Sequence, residues 1–244
     1  MKILAIDTSG PVAGAAVLVD GCVRHAVSME HGNTHSETIM PAVDQALSGC
    51  GLAAKDMDCI AVTAGPGSFT GVRIGVCAAK ALAHATGAMC ARIDALEALA
   101  AAHFGFDGVI CPILDARRSQ VYAAAFRFAS GERPVRLMDD CALAISDYFD
   151  ALPAEGRLLF TGDGVPVNEQ RIRERFGERA LIAPPHLRFL RAESAAQLAA
   201  QDGANWMGPA ALTPIYLRAP QAERERAERE KRAAEEAARL SKEA

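Results

Sequence analysis

The chain has 244 residues, half of them apolar, and a formal net charge of −4 at pH 7. This length suits one or two domains with a buried core. The acidic balance argues against a protein that holds RNA mainly by itself, because such proteins usually carry a basic surface. Asp7 interrupts the apolar start too early for a secretory signal, and no stretch reaches the ~20 apolar residues of a membrane span. With seven scattered cysteines and no CxxC pair, we expect a cytoplasmic protein with reduced thiols.

The N-terminal part predicts a meander of three short strands, then a helix, a strand, a glycine-rich turn and a second helix. Apolar runs joined by tight turns indicate the meander, and apolar residues at helical spacing indicate the helices. The predicted elements are strands Lys2–Ala5, Ala13–Val19 and Cys22–Val27, helix Ser36–Cys50, strand Cys59–Thr63, and helix Val72–Thr86, which Gly87 closes.

The same order of elements returns after Gly108. The predicted elements are strands Val109–Leu114 and Val121–Phe128, a turn at Ser130-Gly131-Glu132, helix Ala144–Leu152, strand Arg157–Thr161, a turn at Gly162-Asp163-Gly164, and helix Glu169–Phe176. An internal duplication constrains the whole fold. We therefore predict two duplicated α/β subdomains, residues 1–105 and 106–220, facing each other across a cleft as in the actin–hexokinase–sugar kinase architecture. A single doubly wound sheet is the alternative.

The C-terminal residues divide into two segments. Residues 205–218 precede Pro220 and can pack back on the first subdomain. Residues 221–244 contain seven acidic and seven basic residues and no apolar stripe. This composition predicts a charged helical or disordered tail.

The two hairpin turns carry the candidate nucleotide contacts. Asp7-Thr8-Ser9 lies in the first turn, whose hydroxyls and N–H groups can bind phosphate and whose carboxylate can hold hydrated Mg²⁺. An Asx-type turn capped by Asp7 explains the same three residues. Asp115 occupies the equivalent place in the second turn. We expect all four residues to be vestigial, because Arg117 and Arg118 replace the small residues that let phosphates approach the backbone.

The run AGPGSFTGVRIG, from Ala64 to Gly75, follows a strand and opens a helix. Its N–H groups can bind an anion at the positive end of that helix. The run lacks the Gly-Lys-Ser/Thr of a Walker A loop and the glycine spacing of a dinucleotide fingerprint. A tight turn with Ser68 or Thr70 capping the helix is the structural alternative.

Five segments, in this order, resemble the bacterial TsaB family of tRNA threonylcarbamoyladenosine biosynthesis proteins, also called YeaZ. They are KILAIDTS at Lys2–Ser9, residues His35–Pro41, GPGSFTGVRIG at Gly65–Gly75, DARRSQVY at Asp115–Tyr122 and PIYLR at Pro214–Arg218. The similarity spans residues 1–220. It implies the actin-like ATPase fold, in agreement with the duplication.

The resemblance also implies a function. It implies a scaffold subunit that pairs with the catalytic paralogue TsaD and works with the ATPase TsaE. The complex transfers threonylcarbamoyl from threonylcarbamoyl-AMP to N6 of the adenosine next to the anticodon in tRNAs that read ANN codons. The chain would meet tRNA through the complex, bind ATP or ADP only there, and form a homodimer when alone. It would be an accessory subunit without catalytic residues.

No metal site is predicted. His31 and His35 have the spacing of helical zinc ligands, but Gly32 and Asn33 disfavour a helix there and no third ligand is evident. The catalytic paralogue has a histidine pair after its second helix, whereas the matching region Ala91–Ala100 contains no histidine. An ATP-dependent small-molecule kinase of the same superfold and a glycoprotease-like hydrolase are the alternatives, and each needs catalytic groups that the sequence does not display.

The partner interface is predicted on the two N-terminal helices. The second is apolar nearly all round, so it should be covered on both sides. Its small residues let a partner helix approach closely, which favours a two-plus-two helix bundle across a pseudo-twofold axis. By resemblance, self-association and TsaD pairing use this surface; a helix covered by its own subdomain is the alternative. The predicted interface residues are Ile39, Met40, Val43, Leu47, Val76, Ala78, Ala79, Ala81 and Leu82.

Overall fold

Two sheets of the same construction form the centre of the fold. In the computed structural model, which describes residues 1–30, 34–129, 131, 133–218 and 229, each sheet contains five strands. The strands are β1 Lys2–Asp7, β2 Ala13–Val19, β3 Cys22–Met29, β4 Cys59–Thr63, β5 Met89–Ile93, β6 Val109–Asp115, β7 Gln120–Arg127, β8 Val135–Ala144, β9 Leu158–Thr161 and β10 Ala180–Ile182. Their spatial orders are β3-β2-β1-β4-β5 and β8-β7-β6-β9-β10.

Strand directions match as well as strand order. In each sheet the first three strands form an antiparallel meander, and the last two run parallel to the first. This agreement confirms the predicted duplication into two α/β halves, and it overturns the single doubly wound sheet. The two corresponding hairpin turns, β1–β2 and β6–β7, therefore lie at the carboxyl ends of β1 and β6.

Seven α-helices complete the part of the chain that the structure describes. They are α1 His35–Ser48, α2 Phe69–Thr86, α3 Ala95–Ala101, α4 Ile145–Ala151, α5 Val165–Phe176, α6 Pro185–Arg188 and α7 Ala192–Gln201. Helix α2 begins three residues earlier than predicted because Ser68 caps it, its Oγ accepting from the Gly71 N–H at 3.3 Å. It ends at Gly87, which has the left-handed φ of 78° that a C-cap glycine adopts without strain.

The sheets and helices stack in five layers. Both faces of β1 are buried, with Leu4 and Ile6 facing α1 and α2 while Ile3 and Ala5 face the middle of the molecule. Helices α3 and α7 fill the space between the two sheets. Helices α4 and α5 cover the outer face of the second sheet, where Tyr148, Phe149, Phe160 and Phe176 form an aromatic core.

The C-terminal part of the chain returns to the first sheet earlier than the sequence-based division allowed. The sequence predicts residues 106–220 as the second half with only 205–218 returning, but α7 already packs against β1 and β2. Its small buried face of alanines fits closely against that sheet. Met207 then pairs with Cys90 through two backbone hydrogen bonds, and the Ile215 N–H donates to the Ala64 carbonyl at 2.7 Å.

Some predictions fall outside the described residues. These are the charged tail 221–244, apart from position 229, the turn residues Ser130 and Glu132, and His31 of the histidine pair. Among the helices that the structure does describe, none combines the length and apolarity needed to cross a membrane.

Candidate functional site

A cleft of about 680 Å³ lies between the two hairpin turns, as the duplication predicts. It is lined by both turns, by the N-terminus of α2 and by the C-terminal segment. Its volume is in the range of small-molecule sites, which occupy ~300–1,000 Å³. The polar and aromatic lining residues are Ser9, His35, Ser68, Phe69, Thr70, Asp115, Arg117, Arg118, Tyr122, Asp163, Tyr216 and Arg218.

The first hairpin turn is buried, and its polar groups bond to each other and to α2. Asp7 accepts through Oδ1 from the N–H of Ser9 at 3.0 Å and from its hydroxyl at 2.7 Å. The Thr8 hydroxyl donates to the Gly71 carbonyl at 2.7 Å. The Asx-type turn considered from the sequence is therefore present. Ser9 reaches the cleft wall, whereas Asp7 and Thr8 lie beneath it.

The glycine-rich run packs against this turn. A Cβ added at Gly71 would collide with the Thr8 carbonyl, one at Gly67 with the Ser9 carbonyl, and one at Gly75 would lie 2.5 Å from Thr8 Oγ1. Gly65 has a φ of 115°, and a Cβ added there would collide with the Ile215 carbonyl. These glycines are required because three separate segments of backbone meet here. The segments KILAIDTS, GPGSFTG and PIYLR, distant in the chain, therefore pack against one another.

In the second hairpin turn three N–H groups are occupied and the backbone is strained. The Asp115 N–H donates to Asp163 Oδ1 at 2.9 Å, the Arg117 N–H donates to Asp115 Oδ1 at 2.8 Å, and the Ala116 N–H donates to Gln120 O at 3.0 Å. Arg117, Arg118 and Ser119 have φ values of 62°, 54° and 58°. Three consecutive non-glycine residues in the left-handed region are rare.

A buried carboxylate, Asp7, and a half-buried one, Asp163, approach each other from the two halves of the molecule. Asp7 and Asp163 both line a cavity of about 10 Å³, enough for about one water molecule. Burial raises the pKa of Asp163 to about 6, and the nearby charges of Asp115 and Asp7 act in the same direction. Burial also raises the pKa of Asp7, although the hydrogen bonds from Ser9 oppose that shift.

Sequence reasoning placed Asp7, Thr8, Ser9 and Asp115 at the cleft but missed other lining residues. Asp163, Tyr216 and Arg218 enter it from the glycine turn after β9 and from the C-terminal segment. Asp163 had a usable signal, because Gly162-Asp163-Gly164 repeats the position of the Gly65–Gly71 run in the first half. The C-terminal residues reach the cleft only through the return of the chain.

His35 has a local structural partner. Its Nε2 donates to the Gly10 carbonyl at 2.8 Å, which ties the start of α1 to the first hairpin turn. Within the described ranges, no group of three or more histidine, cysteine, aspartate or glutamate side chains is arranged to hold a metal ion.

Five of the nine predicted interface residues need correction. Their side chains are buried against the chain's own first sheet, because the 3.6-residue period points them inward. They are Ile39, Val43, Leu47, Val76 and Ala79. Met40 and Ala81 are exposed, and Ala78 and Leu82 are half-buried. The four accessible residues stay a predicted interface.

The outward side of α2 is mostly small and uncovered in the described part of the chain. We call it the outer face of α2; it consists of Thr70, Arg73, Cys77, Ala81, His84 and Ala85, all exposed. Phe69 adds a ring at the N-terminal end, where it is 37% exposed. The inward side of the helix packs on the sheet through Val72, Val76, Ala79 and Ala83.

Comparisons with known proteins agree with these features. The family model for TsaD, tRNA N6-adenosine threonylcarbamoyltransferase, matches residues 29–223. The Bacillus subtilis tRNA threonylcarbamoyladenosine biosynthesis protein TsaB is 36% identical, with 91% of this chain and 96% of that protein aligned. The Chlorobaculum tepidum tRNA N6-adenosine threonylcarbamoyltransferase is 38% identical over 40% of this chain and 32% of its own length.

Solved structures give the same picture of the fold. A Pseudomonas aeruginosa protein described as similar to peptidase YeaZ superimposes with a TM-score of 0.77 at 25% identity, over 89% of this chain and 99% of that one. The fold is therefore the actin-like ATPase fold in duplicated form. Because the similarity to B. subtilis TsaB runs over nearly the full length of both chains and includes the packed hairpin turn and glycine run, this chain belongs to the TsaB family.

Proposed function

We propose that this chain takes part in tRNA threonylcarbamoyladenosine biosynthesis as a non-catalytic scaffold subunit. It pairs with TsaD, the threonylcarbamoyltransferase, and the TsaE ATPase joins the complex. The complex, in the cytoplasm, transfers threonylcarbamoyl from threonylcarbamoyl-AMP to N6 of the adenosine next to the anticodon of tRNAs that read ANN codons. Membership of the TsaB family supports the assignment of this chain to threonylcarbamoyladenosine biosynthesis.

The observation that carries the non-catalytic role is the occupation of four backbone donors in the two hairpin turns. An actin-like ATPase needs free N–H groups there to hold transferable phosphates. Here the N–H groups of Ser9, Asp115, Ala116 and Arg117 all donate to groups of the chain itself. Opening these bonds would leave buried Asp7 without its donors, so phosphate binding competes with the fold. We expect ATP or ADP to bind only where the complex supplies further contacts.

The outer face of α2 supports the partner role. Exposed small residues such as Ala81 and Cys77 let a second helix approach to short distance. The TsaD family model covers most of this chain, so we expect TsaD to share its fold. A homodimer and a TsaB–TsaD pair can therefore form around the same pseudo-twofold arrangement and should compete.

Pairing is tested with Ala81→Glu, which places a charge in the middle of the outer face. We expect the variant to lose TsaD binding by at least tenfold, because a buried unpaired carboxylate costs several kcal/mol. Ala151→Glu is the matched control, since Ala151 is an exposed alanine at the end of α4. Light scattering of mixtures with TsaD measures the complex, and circular dichroism checks the fold. Normal pairing by a folded Ala81→Glu variant would place the interface elsewhere.

A further inference from the structure

We propose that the mouth of the cleft binds a nucleotide within an RNA strand. Its phosphodiester would lie against Arg117 and Arg218, and its base against Tyr216. The identity of that RNA as the tRNA substrate rests on the proposed function, whereas the binding itself does not.

Arginines from two distant segments converge at the mouth. Arg117 and Arg118 stand on the exposed tip of the second hairpin turn, and Arg218 reaches the same turn, where its Nη1 lies 3.5 Å from the Ala116 carbonyl. In the described part of the chain, neither Arg117 nor Arg218 forms an ion pair with a carboxylate. The planar guanidinium matches the geometry of phosphate oxygens. The two side chains therefore offer donors to a phosphate beside a turn in which three backbone N–H groups already donate within the chain.

Acidic groups in the cleft lie close to these arginines and must be counted. Asp115 is exposed, but its Oδ1 already accepts from the Arg117 N–H. Asp163 lies deeper and accepts from the Asp115 N–H. Asp7 lies beneath the cleft wall and accepts from Ser9, so all three carboxylates already accept hydrogen bonds within the chain, while Arg117 and Arg218 line the mouth.

A stacked group of side chains supplies the surface for a base. Arg73 lies over the Phe69 ring at 4.9 Å, and the Phe69 and Tyr216 rings are tilted by 31° with centroids 5.3 Å apart. Phe69 thus holds Tyr216 in place, while 45% of Tyr216 stays exposed at the cleft. An exposed aromatic ring beside arginines is the usual surface for an unpaired base.

A strand fits this mouth better than a free nucleotide. A free di- or triphosphate needs several donors around its terminal phosphates, and the N–H groups of Ser9, Asp115, Ala116 and Arg117 already donate within the chain. Arg117 instead stands exposed on the rim of the cleft, and Arg218 lies half-buried beside it. Such a rim suits phosphodiesters that run past the opening, each carrying one negative charge.

Fluorescence anisotropy with a labelled anticodon stem-loop RNA tests the proposal, using the full chain alone and in complex with TsaD. The double variant Arg117→Asn/Arg218→Gln removes both charges, and asparagine tolerates the left-handed φ at position 117. We expect the slope of log affinity against log salt to fall by about 0.7–0.9 for each lost phosphate contact. Tyr216→Ala should weaken binding by about 5- to 100-fold through lost stacking.

Arg24→Ala is the matched control, because Arg24 is an exposed arginine on β3, at the far edge of the first sheet. It should change the affinity by less than about twofold, as a surface charge away from the site does. Wild-type RNA binding by the folded double variant would overturn the proposal. Displacement of the RNA by micromolar ATP would also overturn it, because that would indicate a free-nucleotide site. So would a double variant that loses TsaD pairing but keeps RNA binding.

The two proposals fail separately. If the double variant binds RNA normally but the chain is still required for tRNA modification, the cleft proposal falls and the scaffold role stands. If the cleft binds RNA but omitting the chain leaves modification unchanged, the scaffold role falls and the binding site stands.

Discussion

The contact between Gly75 and Thr8 gives the sharpest test of how the glycine-rich run works. A Cβ at position 75 would lie 2.5 Å from Thr8 Oγ1 and 3.3 Å from Val62 Cγ2. Overpacking of this kind costs about 1–3 kcal/mol, partly offset by the ~1 kcal/mol that alanine gains over glycine inside a helix. We expect Gly75→Ala to lower the free energy of unfolding by up to about 2 kcal/mol.

Removing the Thr8 hydroxyl should reverse that effect. Thr8→Ala alone costs about 1–3 kcal/mol, because the hydroxyl donates to the Gly71 carbonyl at 2.7 Å in a buried site. In the Thr8→Ala background the atom that blocks the new methyl group is gone, so Gly75→Ala should become neutral or slightly stabilising. Urea unfolding of the four proteins should give a coupling energy of about 1–3 kcal/mol.

Two further variants show whether the coupling is specific. Gly71→Ala would strike the Thr8 carbonyl, a backbone atom that Thr8→Ala leaves in place, so its cost should persist in both backgrounds. Gly208→Ala has no atom within 4 Å of the added Cβ and should be nearly neutral. Additive energies for Gly75→Ala and Thr8→Ala would refute this account of the motif.

Two other properties follow from the cleft and from the outer face of α2. Because burial raises the pKa of Asp163 to about 6, above its unfolded value near 3.8, the folded chain binds its proton more tightly and stability falls as pH rises through that interval. Asp163→Asn keeps the acceptor for the Asp115 N–H but does not titrate. The free energy of unfolding of this variant relative to wild type should therefore rise by about 2–3 kcal/mol between pH 4 and pH 6, measured by urea unfolding. An unchanged difference would show that the carboxyl is solvated. Cys77 lies on the outer face of α2 and Cys22 on β3, and both are exposed. Maleimide labelling of Cys77 should slow on addition of TsaD while that of Cys22 continues; equal rates at both would contradict the interface.

Local patterns in the sequence were enough to predict the duplicated architecture. Strand β4 has the predicted bounds Cys59–Thr63, and α2 differs only at its capped start. These elements depend on apolar periodicity and on turn residues, and both signals come from residues that are close together in the chain. The return of α7 to the first sheet could not be read in this way, because alanine-rich helices fit many surfaces and the choice depends on contacts with β1 and β2.

The composition of the cleft was predictable only in part. The first hairpin turn was found because Asp7, Thr8 and Ser9 are adjacent in the chain. The glycine turn around Asp163 is a local signal, but the link of Asp163 to Asp115, 48 positions away, depends on the fold. The predicted interface failed at Val76 and Ala79 for a related reason: an apolar helix does not reveal which of its sides its own sheet will cover.

Reconstituted tRNA modification with TsaD and TsaE tests the central claim that the chain contributes a surface rather than chemistry. The double variant Asp7→Asn/Asp115→Asn keeps the oxygen acceptors of both hairpin turns while removing their carboxylates. We predict that modification requires the chain, proceeds at the wild-type rate with this variant, and drops at least tenfold with Ala81→Glu. A carboxylate variant that pairs normally with TsaD but abolishes modification would contradict the scaffold role and indicate chemistry in the cleft.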